Sequence, residues 1–231
     1  METFITVNHC RLYLEIEGEG EPLLFLHGNG EDSHYFQRQQ ALFINYYQCI
    51  FMDSRAHGKS DVGRAPLSLT LMADDVIKAI EALNLPPVNV LGFSDGANIA
   101  LLAALKQPQL FKRIILNGAN IMPSGLKTSV VLSILHEYAL AKGLNRQLLA
   151  LMVREPRLSF KDLTRIQCPT LVIAGEHDMI KKAHTQKIAA SLPDAKLAII
   201  PKADHFCAFK QDQLFNQIVL EFLKDNYNPL R

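Results

Sequence analysis

Apolar and polar positions change rhythm along this chain, and each rhythm predicts a different element. From Arg11 to Glu17, Leu12, Leu14 and Ile16 alternate with Arg11, Tyr13, Glu15 and Glu17. A period of two suits a half-buried antiparallel strand, and Phe4 to Val7 reads as its hairpin partner. Leu23 to Leu26 and Tyr47 to Met52 are instead continuous apolar runs, the mark of strands covered on both faces. Val88 to Gly92, Arg113 to Leu116, Thr170 to Ala174 and Lys196 to Ile200 complete a set of eight predicted strands.

Helical spacing fills the gaps between strands. Asp32 or Ser33 can cap a helix reaching about Asn45. Leu69 to Leu83 carries Leu69, Met72, Val76, Ile77, Ile80 and Leu83 on one face, and Pro86-Pro87 stops it. An Ala/Leu-rich helix starts at Ala97, and others are predicted from about Ile180 to Leu192 and from Gln211 to Leu223. Asp74 and Asp75 read as early-turn residues that suit the helix dipole. The alternation predicts one α/β domain over residues 1–231.

One stretch breaks the alternation, from Gly118 to about Arg165. Leu126, Val130, Val131, Ile134, Leu135 and Tyr138 form one helical stripe that Gly143 is expected to end. Asn145 is the expected cap of a second helix bearing Leu148, Leu149, Leu151, Met152 and Val153. So short a segment cannot enclose its own core, so its apolar faces must cover something. We read it as a lid over the carboxyl edge of the sheet, inserted after the sixth strand over about residues 119–165. A pair of ordinary packing helices is the alternative.

Composition narrows the class. Of 231 residues, 48% are hydrophobic and 20% charged, which describes a globular chain with a sizeable core. The net charge is +1 with scattered basic residues, so no nucleic-acid footprint or polybasic membrane anchor is expected. Cys10, Cys49, Cys168 and Cys207 form no metal-ligand spacing and read as reduced thiols. The N-terminal stretch lacks a basic and then apolar leader pattern, and no apolar run approaches the ~18 residues of a membrane span. A reducing, cytoplasmic location is the expectation.

The chemistry gathers where strands end. Val88 to Gly92 runs into Gly92-Phe93-Ser94-Asp95-Gly96 and then directly into a helix. A strand that turns at once into a helix strains its corner residue, and small neighbours relieve the crowding. The corner serine is left exposed beside free helix N–H groups. Leu23 to Leu26 ends in His27-Gly28-Asn29-Gly30, whose turn can offer the Asn29 N–H to a developing oxyanion. Asp178 follows the seventh strand and His205 the eighth. In an open parallel sheet such positions converge at the carboxyl edge. A serine hydroxyl needs a base, and that base needs an orienting anion, so Ser94, His205 and Asp178 are the candidate set.

Position separates these residues from their rivals. His27 reads as a residue that orders the oxyanion turn, and His177 precedes Asp178 and should point elsewhere. Asp204 shares a turn with His205 and is badly placed to aim the ring. Asp53, Arg55 and His57 sit among Ser54, Gly58 and Ser60 and read as a hydrogen-bonded structural turn. Asp95 as nucleophile would put Phe93 at a flanking position that must be small.

The elbow, the Phe25-Leu26-His27-Gly28 turn, the loop Asp53–Ser60 and the order Ser94, Asp178, His205 together resemble the α/β-hydrolase superfamily over nearly the whole chain. The loop has Ala56 where the family usually has glycine. The resemblance implies a mostly parallel eight-stranded sheet with helices on both faces. It implies Ser94 as nucleophile, His205 as general base and acid, Asp178 as orienting carboxylate, and an oxyanion hole from the N–H groups of Asn29 and Asp95. The expected activity is hydrolysis of small to medium uncharged carboxylic esters or thioesters through an acyl-enzyme, with no cofactor and no metal. A small-molecule ester or thioester substrate is the expected partner, with no nucleic acid and no membrane. A carbon–carbon bond hydrolase and a non-catalytic ligand-binding signalling protein on the same fold are the alternatives.

Overall fold

The computed structural model describes residues 1–225. The eight apolar runs form one sheet: β1 (Glu2–Val7), β2 (Cys10–Glu17), β3 (Pro22–Leu26), β4 (Gln48–Met52), β5 (Val88–Phe93), β6 (Phe111–Asn117), β7 (Thr170–Gly175) and β8 (Ala195–Ile200). Their order is β1-β2-β4-β3-β5-β6-β7-β8. β2 runs antiparallel to β1 and β4, and the remaining pairs are parallel. The continuous runs of the inner strands follow from this placement, whereas Tyr13, expected on the polar side of β2, is buried against Phe4 and the Lys59 side chain.

Alternate residues of the inner strands feed two separate cores. Leu24 and Leu26 of β3, Val90 of β5 and Ile114 and Leu116 of β6 face one side. There α2 (Leu69–Ala82) and α3 (Asp95–Lys106) supply Met72, Val76, Ile99 and Leu101. Leu23, Phe25, Leu91, Phe93 and Ile115 face the other side. Phe43 of α1 (Gln37–Phe43) and Phe215, Val219 and Phe222 of α9 (Asp212–Leu223) cover them. Phe25 stacks on Phe51 with centroids 4.4 Å apart and lies 5.2 Å from Phe36. Each such buried ring contributes roughly 1.5–3 kcal/mol over leaving it in water, so the two cores hold the sheet flanked by helices on both faces.

Between β6 and β7 the chain builds α4 (Thr128–Leu140), α5 (Gly143–Arg154) and the short α6 (Phe160–Leu163). Val130, Val131 and Ile134 of α4 meet Leu149, Met152 and Val153 of α5 around Leu126, Met179 and Ile180. Leu135, expected on the covered stripe, is largely exposed. The two helices change over differently from the expectation. Gly143 does not end α4, which stops at Leu140; it opens α5. Asn145 therefore lies inside α5 and caps nothing; the residue before α5, Lys142, makes no side-chain cap. The helix after β7, α7 (Lys182–Ser191), starts two residues later than expected because the Asp178 carboxylate accepts the Ile180 N–H and holds a turn there. The region after Asp32 begins as a single 3-10 turn, Ser33–Phe36, capped by Asp32, before α1. The closing helix is preceded by α8 (Cys207–Lys210). Among the described residues no helix is long and apolar enough to cross a membrane.

Candidate active site

The carboxyl ends of β3, β5, β7 and β8 meet at one edge, and parallel pairing is the reason. β5 gives way to α3 with a single residue between them. Ser94 takes φ +53° and ψ −116°, a left-handed φ that an L side chain adopts only under constraint. Its N–H donates to the Asn117 carbonyl at 2.8 Å, and its carbonyl accepts from Ala97 and Asn98 at 3.0 and 3.1 Å. The flanking glycines are needed for close approach. A Cβ on Gly96 would sit 2.0 Å from the Leu26 carbonyl oxygen, and one on Gly92 would sit 2.5 Å from that of Gly96.

Asp178 and His205 are buried and paired. The His205 Nδ1 donates to Asp178 Oδ1 at 2.7 Å, and the same oxygen accepts the Ile180 N–H at 2.9 Å. The two bonds fix the carboxylate, which in turn fixes the ring. The His205 ring lies 4.9 Å from that of Phe93. His205 and Ser94 share the wall of one cavity of about 100 Å³, together with Gly28, Asn29, Glu31, Phe93, Met152, Met179 and Phe206. A second, smaller space of about 20 Å³ also touches Ser94 and is lined by Asp95, Asn98, Asn120 and Glu155 among others. No lysine or arginine lines either space among the described residues.

The turn after β3 is tied down by its side chains. His27 Nε2 accepts the Ser54 N–H at 3.0 Å, so Nδ1 carries the proton and donates to the Gly28 carbonyl at 2.7 Å. Burial, with His57 nearby, pushes the His27 pKa down, which keeps this neutral tautomer. Asn29 Nδ2 donates both to Asp95 Oδ2 and to the Leu148 carbonyl of α5, each at 2.9 Å. As the first residue of α3, Asp95 has an N–H with no intrahelical acceptor. The Asp95 carboxyl is buried, and burial raises its pKa against the hydrogen bonds of Asn29 and Asn98.

The rejected candidates lie elsewhere. His177 is exposed beside Glu176, and Asp204 is exposed and paired with Lys210. Asp53 is a loop organiser: its carboxylate accepts the N–H groups of Ser33 and Lys59, both at 2.8 Å. Ala56 takes φ +65°, the left-handed position where glycine fits best. Asp75 departs from the expectation. It lies beyond the first turn of α2 and accepts Arg55 Nε and Nη2 at 2.5 and 2.6 Å, with both side chains fully buried. It neutralises a buried guanidinium, so the helix dipole does not explain it.

Three site residues escaped the sequence reading: Glu31, Asn120 and Glu155. Glu31 stands four positions after His27, and its proximity to the strand end was the available signal. Its carboxylate accepts the Gly28 N–H at 3.2 Å, and burial pushes its pKa up to about 7. Glu155 accepts the Leu69 N–H at the start of α2, 86 positions away, and no local pattern marks that contact.

Comparisons with known proteins agree with this architecture. A family model described as alpha/beta hydrolase fold matches residues 21–141. Over 112 residues the chain is 38% identical to (E)-2-((N-methylformamido)methylene)succinate hydrolase of Acinetobacter baylyi, a match covering 48% of this chain and 42% of that protein. It is 25% identical, over 95% of both chains, to 2-hydroxy-6-oxo-6-phenylhexa-2,4-dienoate hydrolase of Burkholderia cepacia. Among solved structures, an esterase of Exiguobacterium antarcticum superposes with a TM-score of 0.86 at 21% identity, covering 97% of this chain and 100% of that one.

Proposed function

We propose, from the premise that the chain belongs to the α/β-hydrolase fold family, that it cleaves small carboxylic esters or thioesters through an acyl-Ser94 intermediate. The observation that carries this reading is the buried His205–Asp178 pair opening on the same cavity as Ser94. His205 takes the Ser94 proton as Oγ attacks the carbonyl carbon. Asp178 holds the ring in the tautomer that leaves the other nitrogen free, and it stabilises the imidazolium. The N–H groups of Asn29 and Asp95 receive the oxyanion, where one such donor is worth about 3–4 kcal/mol. Collapse expels the alcohol or thiol with the proton from His205. Water, deprotonated by the same ring, then releases the acid.

The β6–β7 insert acts as the lid in this reading. Met152 of α5 lines both spaces beside Ser94, and Leu148 meets Asn29, so the insert lies on the path of the substrate. A cavity of about 100 Å³ suits a short acyl or alcohol chain, and each methylene it takes up contributes roughly 0.8 kcal/mol. A carbon–carbon hydrolase of this fold is the second reading, favoured by the relative that acts on a phenylhexadienoate. Against it stand the carboxyls of Glu31, Asp95 and Glu155, which would repel an acidic ring-fission product.

The test is covalent labelling with a fluorophosphonate, mapped by peptide, together with turnover of acetyl, butanoyl and hexanoyl esters. Ser94 should carry the label and Ser94→Ala should lose nearly all turnover while keeping its melting temperature. Label on another serine removes the nucleophile. Faster cleavage of dicarboxylate substrates than of neutral esters of equal length transfers the assignment to carbon–carbon hydrolysis.

A further inference from the structure

The larger cavity beside Ser94 has an unusual wall. Glu31 is its one carboxyl, and the rings of Phe93 and Phe206 stand with it, 5.8 Å apart between centroids. Met152 and Met179 supply polarisable sulfur, and no lysine or arginine answers the carboxyl. Glu31 uses one oxygen on the Gly28 N–H, while its other oxygen makes no hydrogen bond among the described residues. The Lys210 ammonium, 5.8 Å from the Phe206 ring centroid, is already paired with Asp204. Phe206 remains 37% exposed at the mouth.

Carboxylate and aromatic faces together are the chemistry that recognises an organic cation. The exposed Phe206 ring attracts it through its quadrupole, the carboxylate neutralises it, and the apolar wall, which includes Phe93 stacked on Tyr35 at 4.3 Å, accepts its methyl or methylene groups. An anion would meet the Glu31 carboxylate with no lysine or arginine to balance it, and a purely apolar group would leave the Glu31 charge without a partner. We propose that this cavity is a cation-accepting subsite with Glu31 as its specificity-determining residue, so that the preferred esters carry a compact organic ammonium group. The proposal rests on the ester-hydrolase reading and moves its substrate class from uncharged to cationic.

The raised pKa of Glu31 supports the geometry, because burial in the wall outweighs the Gly28 hydrogen bond and the nearby His205, which both act to lower it. The groups facing it are the Gly28 N–H, His205, Asp32 and Tyr35. With a raised pKa, the carboxyl is protonated below about 7 and charged above it. Preference for a cation therefore grows as pH rises through that value.

A matched pair of ligands reads this directly. Choline and 3,3-dimethylbutan-1-ol share one shape and differ by one charge. Calorimetry should show choline binding at least tenfold tighter to the native protein, and the two should become equal in Glu31→Gln, which keeps an acceptor for Gly28. Glu31→Asp should retain part of the difference. For turnover, butanoylcholine is compared with 3,3-dimethylbutyl butanoate. A second pair moves the charge to the acyl side: phenyl esters of 4-(trimethylammonio)butanoate and 5,5-dimethylhexanoate. In one pair kcat/KM should favour the cation at least tenfold, with a ratio that rises between pH 6 and 8 and falls to about 1 in Glu31→Gln. Taking a ratio cancels any pH dependence that the two substrates share. Equal kcat/KM within both pairs, or a preference that survives Glu31→Gln, overturns the subsite. If no ester is cleaved and Ser94 takes no fluorophosphonate, the ester reading fails instead, and the choline measurement still decides the subsite by itself.

Discussion

The sheet edge and the insert above it are built on different physics. Nine of the twelve residues of α3 are buried, and the helix is clamped between two glycine contacts and the β3 backbone. In α4 only Ile134 is buried, and in α5 only Leu151. Leu132 and Leu140 of α4 are 62% and 69% exposed. The insert is tied down at its ends: Lys127 N–H to the Met179 carbonyl at 2.9 Å, Lys181 N–H to that of Gly125 at 2.8 Å, and Leu158 N–H to that of Ile121 at 3.0 Å. Few buried apolar contacts and an exposed outer face are the marks of a region that opens at low free-energy cost. The residues that would do chemistry stand on the rigid part, and the residues that would exclude water stand on the yielding part. The comparison predicts that changes to the edge cost far more than changes to the insert.

The largest effect belongs to the buried acid. Asp178→Asn should lower kcat by on the order of 10³–10⁴, because the amide neither fixes the tautomer of His205 nor stabilises its charged form. Asp204→Asn, in the same neighbourhood but exposed and paired with Lys210, should change kcat by less than about threefold. Steady-state kinetics with circular dichroism on each variant tests this. Equal losses would mean that the acid has been misassigned and that the rigid edge does not single out Asp178.

The next effect is on stability, within the body. Removing one partner of a buried ion pair leaves an uncompensated charge and typically costs about 3–5 kcal/mol. Asp75→Asn should therefore destabilise the fold by roughly that amount in urea unfolding, since Arg55 is fully buried with Asp75 as its only anionic partner among the described residues. A loss below about 1 kcal/mol would show that water or a rearranged loop reaches the guanidinium and that the body is less rigid than its burial suggests.

What the sequence made legible follows the same division. Strands and their order of chemistry were readable because burial on both faces writes continuous apolar runs, and because a strand-to-helix corner needs glycines on both sides of Ser94. The Asp53 loop was readable as structure because part of its hydrogen bonding is local: the Lys59 N–H donates to the Asp53 carboxylate and the Ser60 hydroxyl to the Asp53 carbonyl. Asp75 was not, since its partner Arg55 lies 20 positions away and a helical acid looks alike whether it faces solvent or a guanidinium. The insert misled at Gly143 and Asn145. Gly143 does take a left-handed φ of +56°, but at the first position of α5 and not after the last turn of α4, which stops at Leu140. Glu31 has no periodic signature because a turn acid has none, and only the folded chain brings it beside Phe93 and Phe206.

The smallest effect is the one that joins the two regions. Asn29 Nδ2 is the side-chain donor from the turn after β3 to the insert, through the Leu148 carbonyl, and it holds the Asp95 carboxylate as well. Asn29→Ala removes both bonds and keeps the backbone N–H proposed for the oxyanion. A neutral hydrogen bond contributes about 1 kcal/mol net, and that amount changes an opening equilibrium by about fivefold. Amide exchange in α5 should accelerate by that factor while the amides of β5 and β6 stay unchanged. Asp95, already pushed up by burial, loses one of the hydrogen bonds that oppose the shift, so its pKa should rise further. Hydrogen exchange read by mass spectrometry resolves the α5 peptide from the β5 peptide in one experiment. Unchanged exchange in α5 would mean that the apolar cluster around Ile134 closes the insert without help. Faster exchange in β5 as well would mean that the edge and the insert open as one unit, and the distinction between them would be lost.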